Sequence, residues 1–271
     1  MILSSASSVE WLLAALTALA YALGALAALR VDSVNVSRLA LAPAWALHAA
    51  TLAWGLLLAG APRFGFAPAL SMTAWLVLTI YAVERELLPR MRARRALPAL
   101  AALGGVAALA AVVFPGQLLP LTASPWLPLH FSLGIACYGL FAVAVVHAWL
   151  MGRAERQMRL GADSQSGLPL LTLERLTFRF VAAGFALLTA TLVAGWLFGE
   201  QLYGEVWRWN HKAVFATLAW LVFATLLLGR SRFGWRGRGA TRMLYAGAGL
   251  LLLAYAGTRF VLEVILHRGP S

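Results

Sequence analysis

The chain has one cysteine and one lysine among its 271 residues. Cys137 lies inside an apolar run, so there is no internal disulfide and no CxxC pair for dithiol chemistry. Charge of either sign is scarce. Asp, Glu, Lys and Arg make up 12% of the residues, against about a quarter in a soluble domain. No Walker loop, HExxH helix, GxSxG elbow or cluster of carboxylates occurs. Nucleotide-driven work, zinc proteolysis, serine hydrolysis and carboxylate proton relays therefore have no residues to carry them. No Lys or Arg precedes the first apolar run, so the basic opening of a signal peptide is missing. That run is expected to stay as a span whose N-terminus lies outside.

What is abundant is apolar length. Hydrophobic residues make up 62% of the chain, and the mean hydropathy is +0.80. The few charges punctuate runs long enough to cross a bilayer. The fold class is all-α, a polytopic membrane protein with about eight transmembrane helices. The expected spans are Val9–Leu29, Leu39–Leu58, Phe66–Val83, Leu97–Phe114, Leu127–Met151, Phe180–Phe198, His211–Leu228 and Ala240–Leu266. They form one membrane domain over residues 1–271. Between spans five and six, Gly161–Gly167 reads as loop, and 170–180 alternates apolar and charged residues as an interfacial helix would.

The formal charge is +12. In a soluble protein it would suggest nucleic acid. Here it follows the loops. Of the 22 basic residues, Arg63, Arg208, Lys212, Arg259 and Arg268 fall on one side and the other 17 on the opposite side. The positive-inside rule places the 17 in the cytoplasm and both termini outside, which is periplasmic in a bacterium. The partner implied by that pattern is membrane lipid, with no nucleic acid.

Five histidines stand in this apolar background: His48, His130, His147, His211 and His267. An ionisable group in a span is costly, and one hydrogen bond to a neighbouring helix is the plain way to satisfy an imidazole. Position distinguishes three of them. His130 opens span five, His211 opens span seven and His267 closes span eight, all at the outer face. Trp126, Trp207 and Trp209 lie at similar depth. His48 lies mid-span and suits a deeper site. His147 lies 17 residues beyond His130, about 25 Å along the helix, too far to share a metal with it.

An aromatic belt accounts for tryptophans at span ends such as Trp11, Trp126, Trp149 and Trp196. It accounts less well for Trp207 and Trp209, in the polar stretch Gly204-Glu205-Val206-Trp207-Arg208-Trp209-Asn210-His211-Lys212. Two indoles, an imidazole and a fixed cation suit a flat, anionic ligand that contains a metal. Haem b has a stacking face, an iron that accepts imidazole and propionates that accept cations. Arg259 and Glu263 share one face of span eight. They neutralise each other in lipid, or Arg259 meets a ligand carboxylate.

The pattern Gly204-x-x-Trp207-x-Trp209-Asn210-His211-Lys212-Ala213, together with Trp126-x-x-x-His130-Phe131-Ser132 and Tyr138, resembles the cytochrome c assembly family. These are the haem-handling membrane proteins of CcsA and CcmC type, marked by a tryptophan-rich WWD segment. The likeness covers residues 39–267. The run Arg232–Arg238 and Tyr255-x-Gly257-x-Arg259 fit its YpjD-type subgroup. The resemblance implies haem at the outer face over the tryptophan segment, with His130 as one axial ligand and His267 near the second. His211 stands where the family has proline and competes as a ligand. Trp126, Trp207, Trp209, Asn210, Lys212 and Arg259 would line the site. The chain departs from the family at Asn210, which replaces Asp, and at Leu226-Leu227-Leu228-Gly229, where an intramembrane histidine is expected. These departures weigh against paired inner and outer haem sites and against synthetase activity. The expected function is haem binding or handling without covalent chemistry, hence no enzyme. A haem-free regulatory or scaffold subunit, acting on a cytochrome-assembly protein or a transporter, is the other reading.

Overall fold

The computed structural model describes residues 7–30, 34–58, 63–87, 96–118, 127–161, 169–199, 209–261 and 265. Helices occupy each of the eight expected positions: α1 (Ser8–Arg30), α2 (Val34–Ala53, continued by a π turn Trp54–Leu58), α3 (Phe66–Leu87), α4 (Ala96–Val113), α5 (Leu127–Arg159), α6 (Leu170–Leu197), α7 (His211–Phe233) and α8 (Gly237–Leu252, continued by a π turn Leu253–Gly257 and by Thr258–Phe260). Among the described residues, five helices are long and apolar enough to cross a membrane: Ser8–Arg30, Phe66–Glu84, Leu129–Arg159, Leu170–Leu197 and His211–Phe233. Leu97–Val113 is a shorter apolar helix. The protein is an all-helical multi-pass membrane protein.

One expectation changes. The amphipathic stretch 170–180 is not a separate interfacial helix but the first turns of α6. No proline interrupts 170–197, so the backbone ladder runs straight through. Glu174, expected at a water interface, is buried instead. Arg230 of α7 donates to it at 2.6 Å, and Arg236 lies 3.6 Å away. The Arg230 guanidinium also sits 3.7 Å from the centroid of Phe178, one turn along α6. An ion pair and a cation–π contact together remove the cost of a carboxylate there. The loop after α7 turns back through Gly234, in the left-handed conformation at φ 65°, and lays Trp235 on Gly229. A Cβ on Gly229 would come within 2.2 Å of that indole.

The described residues form two compact units, the first mainly within 1–119 and the second within 120–267. In the first, α1 packs on α2 and α4, and α3 on α4. The buried line of α1 is Ala14, Thr17, Tyr21, Gly24 and Ala28, spaced three and four residues apart, while Leu12, Leu19 and Leu23 stay exposed. Small and polar residues inside with leucine outside invert the soluble pattern. Lipid solvates leucine as well as protein does, so close backbone approach and hydrogen bonds decide the interface. Tyr21 lies on Gly104 of α4, where a Cβ would stand 3.0 Å from its ring. A two-residue antiparallel ladder, β1 (Arg63–Phe64) with β2 (Gln117–Leu118), ties together the connections after α2 and α4. Gly116 permits it, with φ 78° and no room for a side chain over the Phe64 carbonyl.

His48 is the polar centre of this unit. It is fully buried, with Nδ1 3.1 Å from the Tyr21 hydroxyl and Nε2 2.8 Å from the Ser71 hydroxyl. Nearby along the α1–α2 interface, the Thr17 and Thr51 hydroxyls lie 3.0 Å apart. His48 thus clasps α1, α2 and α3. His48→Leu should lower stability by about 1–2 kcal/mol, the usual range for interhelical hydrogen bonds in membranes, read as an earlier midpoint in detergent unfolding. An unchanged midpoint would show that the clasp carries no stability.

In the second unit α5 packs on α6 and α7 on α8. The core joins Cys137, Phe141, Ala144 and Ala148 of α5 to Val181 and Leu188 of α6, to Phe223 and Leu226 of α7, and to Leu244 and Leu251 of α8. At its middle, Phe141 and Phe223 stack with centroids 3.9 Å apart and planes 15° apart. Gly184 lies against the first ring and Gly247 against the second. Two glycines thereby make room for one aromatic pair between four helices.

Candidate functional site

Of the expected site residues that the structure describes, His130, Trp209, Asn210, His211 and Lys212 lie in the second unit, at the starts of α5 and α7. Helix α7 starts there because Asn210 caps it: its side chain accepts the Ala213 N–H at 2.9 Å. This explains the exchange of Asp for Asn, since both are strong N-caps through the same side-chain oxygen. Asn210→Ala should cost about 1 kcal/mol and Asn210→Asp close to nothing in the unfolding midpoint. Equal losses for the two would place the role of Asn210 elsewhere.

The cap fixes its neighbours. Trp209, just before the helix, is 69% exposed. His211, the first helical residue, is exposed. Lys212 turns inward, with Nζ 5.6 Å from the centroid of the Tyr255 ring. His130 is buried in the first turns of α5, within electrostatic range of that ammonium. The structure thus brings together a buried imidazole, a cation and the aromatic ring of Tyr255. Among the described residues, no three His, Cys, Asp or Glu side chains cluster as a metal site.

Of the other expected site residues, Trp126, Trp207 and His267 lie outside the described residues, as does the side chain of Arg259, whose backbone is in the turn Thr258–Phe260. His48 belongs to the first unit, with both ring nitrogens hydrogen-bonded to hydroxyls. A neutral imidazole has one acceptor nitrogen, so a metal would have to displace one of those partners. His147 is buried edge-on against Phe180, with ring centroids 5.4 Å apart.

Sequence reasoning missed Tyr255 and the role of Tyr138. The Tyr138 hydroxyl donates to the carbonyl of Leu251, at the entry to the π turn that carries Tyr255. The available signal was Tyr255-x-Gly257, a glycine two residues past a tyrosine inside an apolar run. π turns inside helices are frequent at functional sites.

Comparison with known proteins gives the chain its relatives. The chain is 33% identical to the inner membrane protein YpjD of Escherichia coli (strain K12) over 147 residues, covering 54% of this chain and 55% of that protein. It is 28% identical to the cytochrome c biogenesis protein CcsA of Parasynechococcus marenigrum (strain WH8102) over 196 residues, 60% of this chain and 63% of that one. A shorter match, 33% over 90 residues, joins it to CcsA of Synechococcus elongatus and covers 28% of that protein. The matches thus span between about half and under two thirds of the length of these two curated relatives. No solved structure matches it. The family model for cytochrome c assembly protein matches residues 11–266. It begins well before residue 39, where the sequence likeness starts, and takes in helices of both units and the capped start of α7: this chain belongs to the cytochrome c assembly protein family.

Proposed function

We propose that this protein binds haem at the His130 end of its second unit and holds it for cytochrome c assembly, without making or breaking covalent bonds. The observation that carries the reading is that Lys212, just inside the Asn210 cap of α7, lies over the Tyr255 ring and within electrostatic range of the buried His130, in a chain of this family. The donor chemistry fits. A porphyrin brings four nitrogens of its own, so the protein supplies only axial imidazole. His130 is one ligand in this reading and His211 or His267 the other. Trp207 and Trp209 offer ring faces, and Lys212 or Arg259 meets a propionate. The protein lies in a bacterial inner membrane with eight spans and both termini outside, supported by the uneven division of its arginines between alternate loops. The site then faces the periplasm.

The test is an optical spectrum, oxidised and reduced, of the detergent-purified protein before and after addition of haemin. His211→Ala and His267→Ala are measured beside it. A Soret band at near-equimolar occupancy is expected, and the variant in which it shifts supplies the second ligand. Colourless protein that takes up no added haemin would overturn the reading and favour a haem-free subunit of another membrane protein.

A further inference from the structure

Lys212 is held where α7 alone would not favour it. It is the second residue of the helix, where the unpaired N–H groups carry partial positive charge and repel an ammonium. The face of Tyr255, 5.6 Å from Nζ, offers the ammonium a compensating contact. Tyr255 reaches that position from the π turn Leu253–Gly257. A π turn takes one residue more than an α turn, so the face presented after it shifts by about 100°. Side chains brace the turn at both ends. The Tyr138 hydroxyl donates to the Leu251 carbonyl, and the Thr258 hydroxyl donates to the Leu253 carbonyl at 2.9 Å. Tyr138 stands two turns along α5 from His130, so the helix that presents the imidazole also braces the turn that places Tyr255.

We propose that Tyr255 is a positioning residue: its ring, set by the π turn that Tyr138 braces, fixes the Lys212 ammonium beside His130 to recognise a carboxylate of the bound ligand. This rests on the haem reading above and adds a selectivity to it, for a porphyrin with free carboxylates over an esterified one.

The experiment titrates detergent-purified full chain with haemin and, separately, with haemin dimethyl ester, which keeps the iron and ring and blocks both carboxylates. Wild type is expected to prefer haemin by about ten-fold, the lower end for a hydrogen bond to a charged group. Lys212→Met and Tyr255→Leu should bring the two affinities close to equality, by lowering haemin affinity more than ester affinity. Tyr255→Phe, which keeps the ring face, should restore the preference. Tyr138→Phe removes a single oxygen and should lower the preference in part, giving the same readout if Tyr255→Leu fails to fold. A wild type that binds both porphyrins equally, or a folded Tyr255→Leu that keeps the full preference, overturns the inference and leaves the haem reading standing. A wild type that binds neither porphyrin overturns both.

Discussion

Replacing His130 by alanine is expected to lower haem affinity at least about 100-fold if His130 is the axial ligand proposed above, because loss of a group that merely orients a ligand already costs 10- to 100-fold. His130 is buried at the start of α5, whereas His211, one residue past its cap on α7, is exposed. A buried ligand is held by its surroundings and cannot be replaced by water at little cost. An exposed one can be. Titration of the purified variant with haemin, read at the Soret band, checks the prediction. An unfolding curve beside it separates a lost ligand from a lost fold. Wild-type affinity in a folded His130→Ala would remove His130 from the site and shift the ligand role to His211 or His267.

The second large effect concerns the core. Gly247→Leu is expected to destabilise the protein by about 3 kcal/mol, the upper end of the usual cost of overpacking, read as a lower unfolding midpoint and a reduced yield of folded protein. A Cβ at Gly247 would lie 2.7 Å from the Phe223 ring. That ring has nowhere to retreat. Phe141 stacks on it at 3.9 Å, and behind Phe141 a Cβ on Gly184 would stand 3.1 Å from its ring. Gly249, two residues along the same helix, has nothing within 4 Å of its Cβ position. Gly249→Ala should therefore leave stability unchanged or raise it by about 0.5–1 kcal/mol through helix propensity. If the two substitutions gave equal losses, packing around Phe223 would not be what sets Gly247 apart from Gly249.

Much of the helical layout was legible in the sequence, and the limits of that legibility are physical. The expected spans and the observed helices share their cores: Val9–Leu29 against Ser8–Arg30, Phe66–Val83 against Phe66–Leu87, and His211–Leu228 against His211–Phe233. Hydropathy marks where a helix must shed water. It does not mark where a helix with a polar end stops, so α5 runs on to Arg159 and α6 begins at Leu170 rather than Phe180. Glu174 shows why. Its sequence neighbours suggest an interface, yet its partner Arg230 lies 56 residues away on another helix. Asn210 was visible as a departure from a family pattern, but its function as a cap depends on the Ala213 N–H, a local geometry that a residue type alone does not reveal.

The sequence by itself determined the class: an all-helical membrane protein, with helices where the apolar runs lie and a polar tryptophan segment before one of them. It could do so because burial of apolar length and the cost of charge in lipid are local properties, read one segment at a time. Only the tertiary structure decided which histidines have partners and which chemistry meets. His48 is spent on Tyr21 and Ser71, from helices 27 and 23 residues away, while the Lys212 charge is brought to His130 from 82 residues along the chain and backed by Tyr255. Those outcomes rest on helix rotation and on a single π turn, which move a side chain by a quarter of a turn while leaving the hydropathy of the segment unaltered.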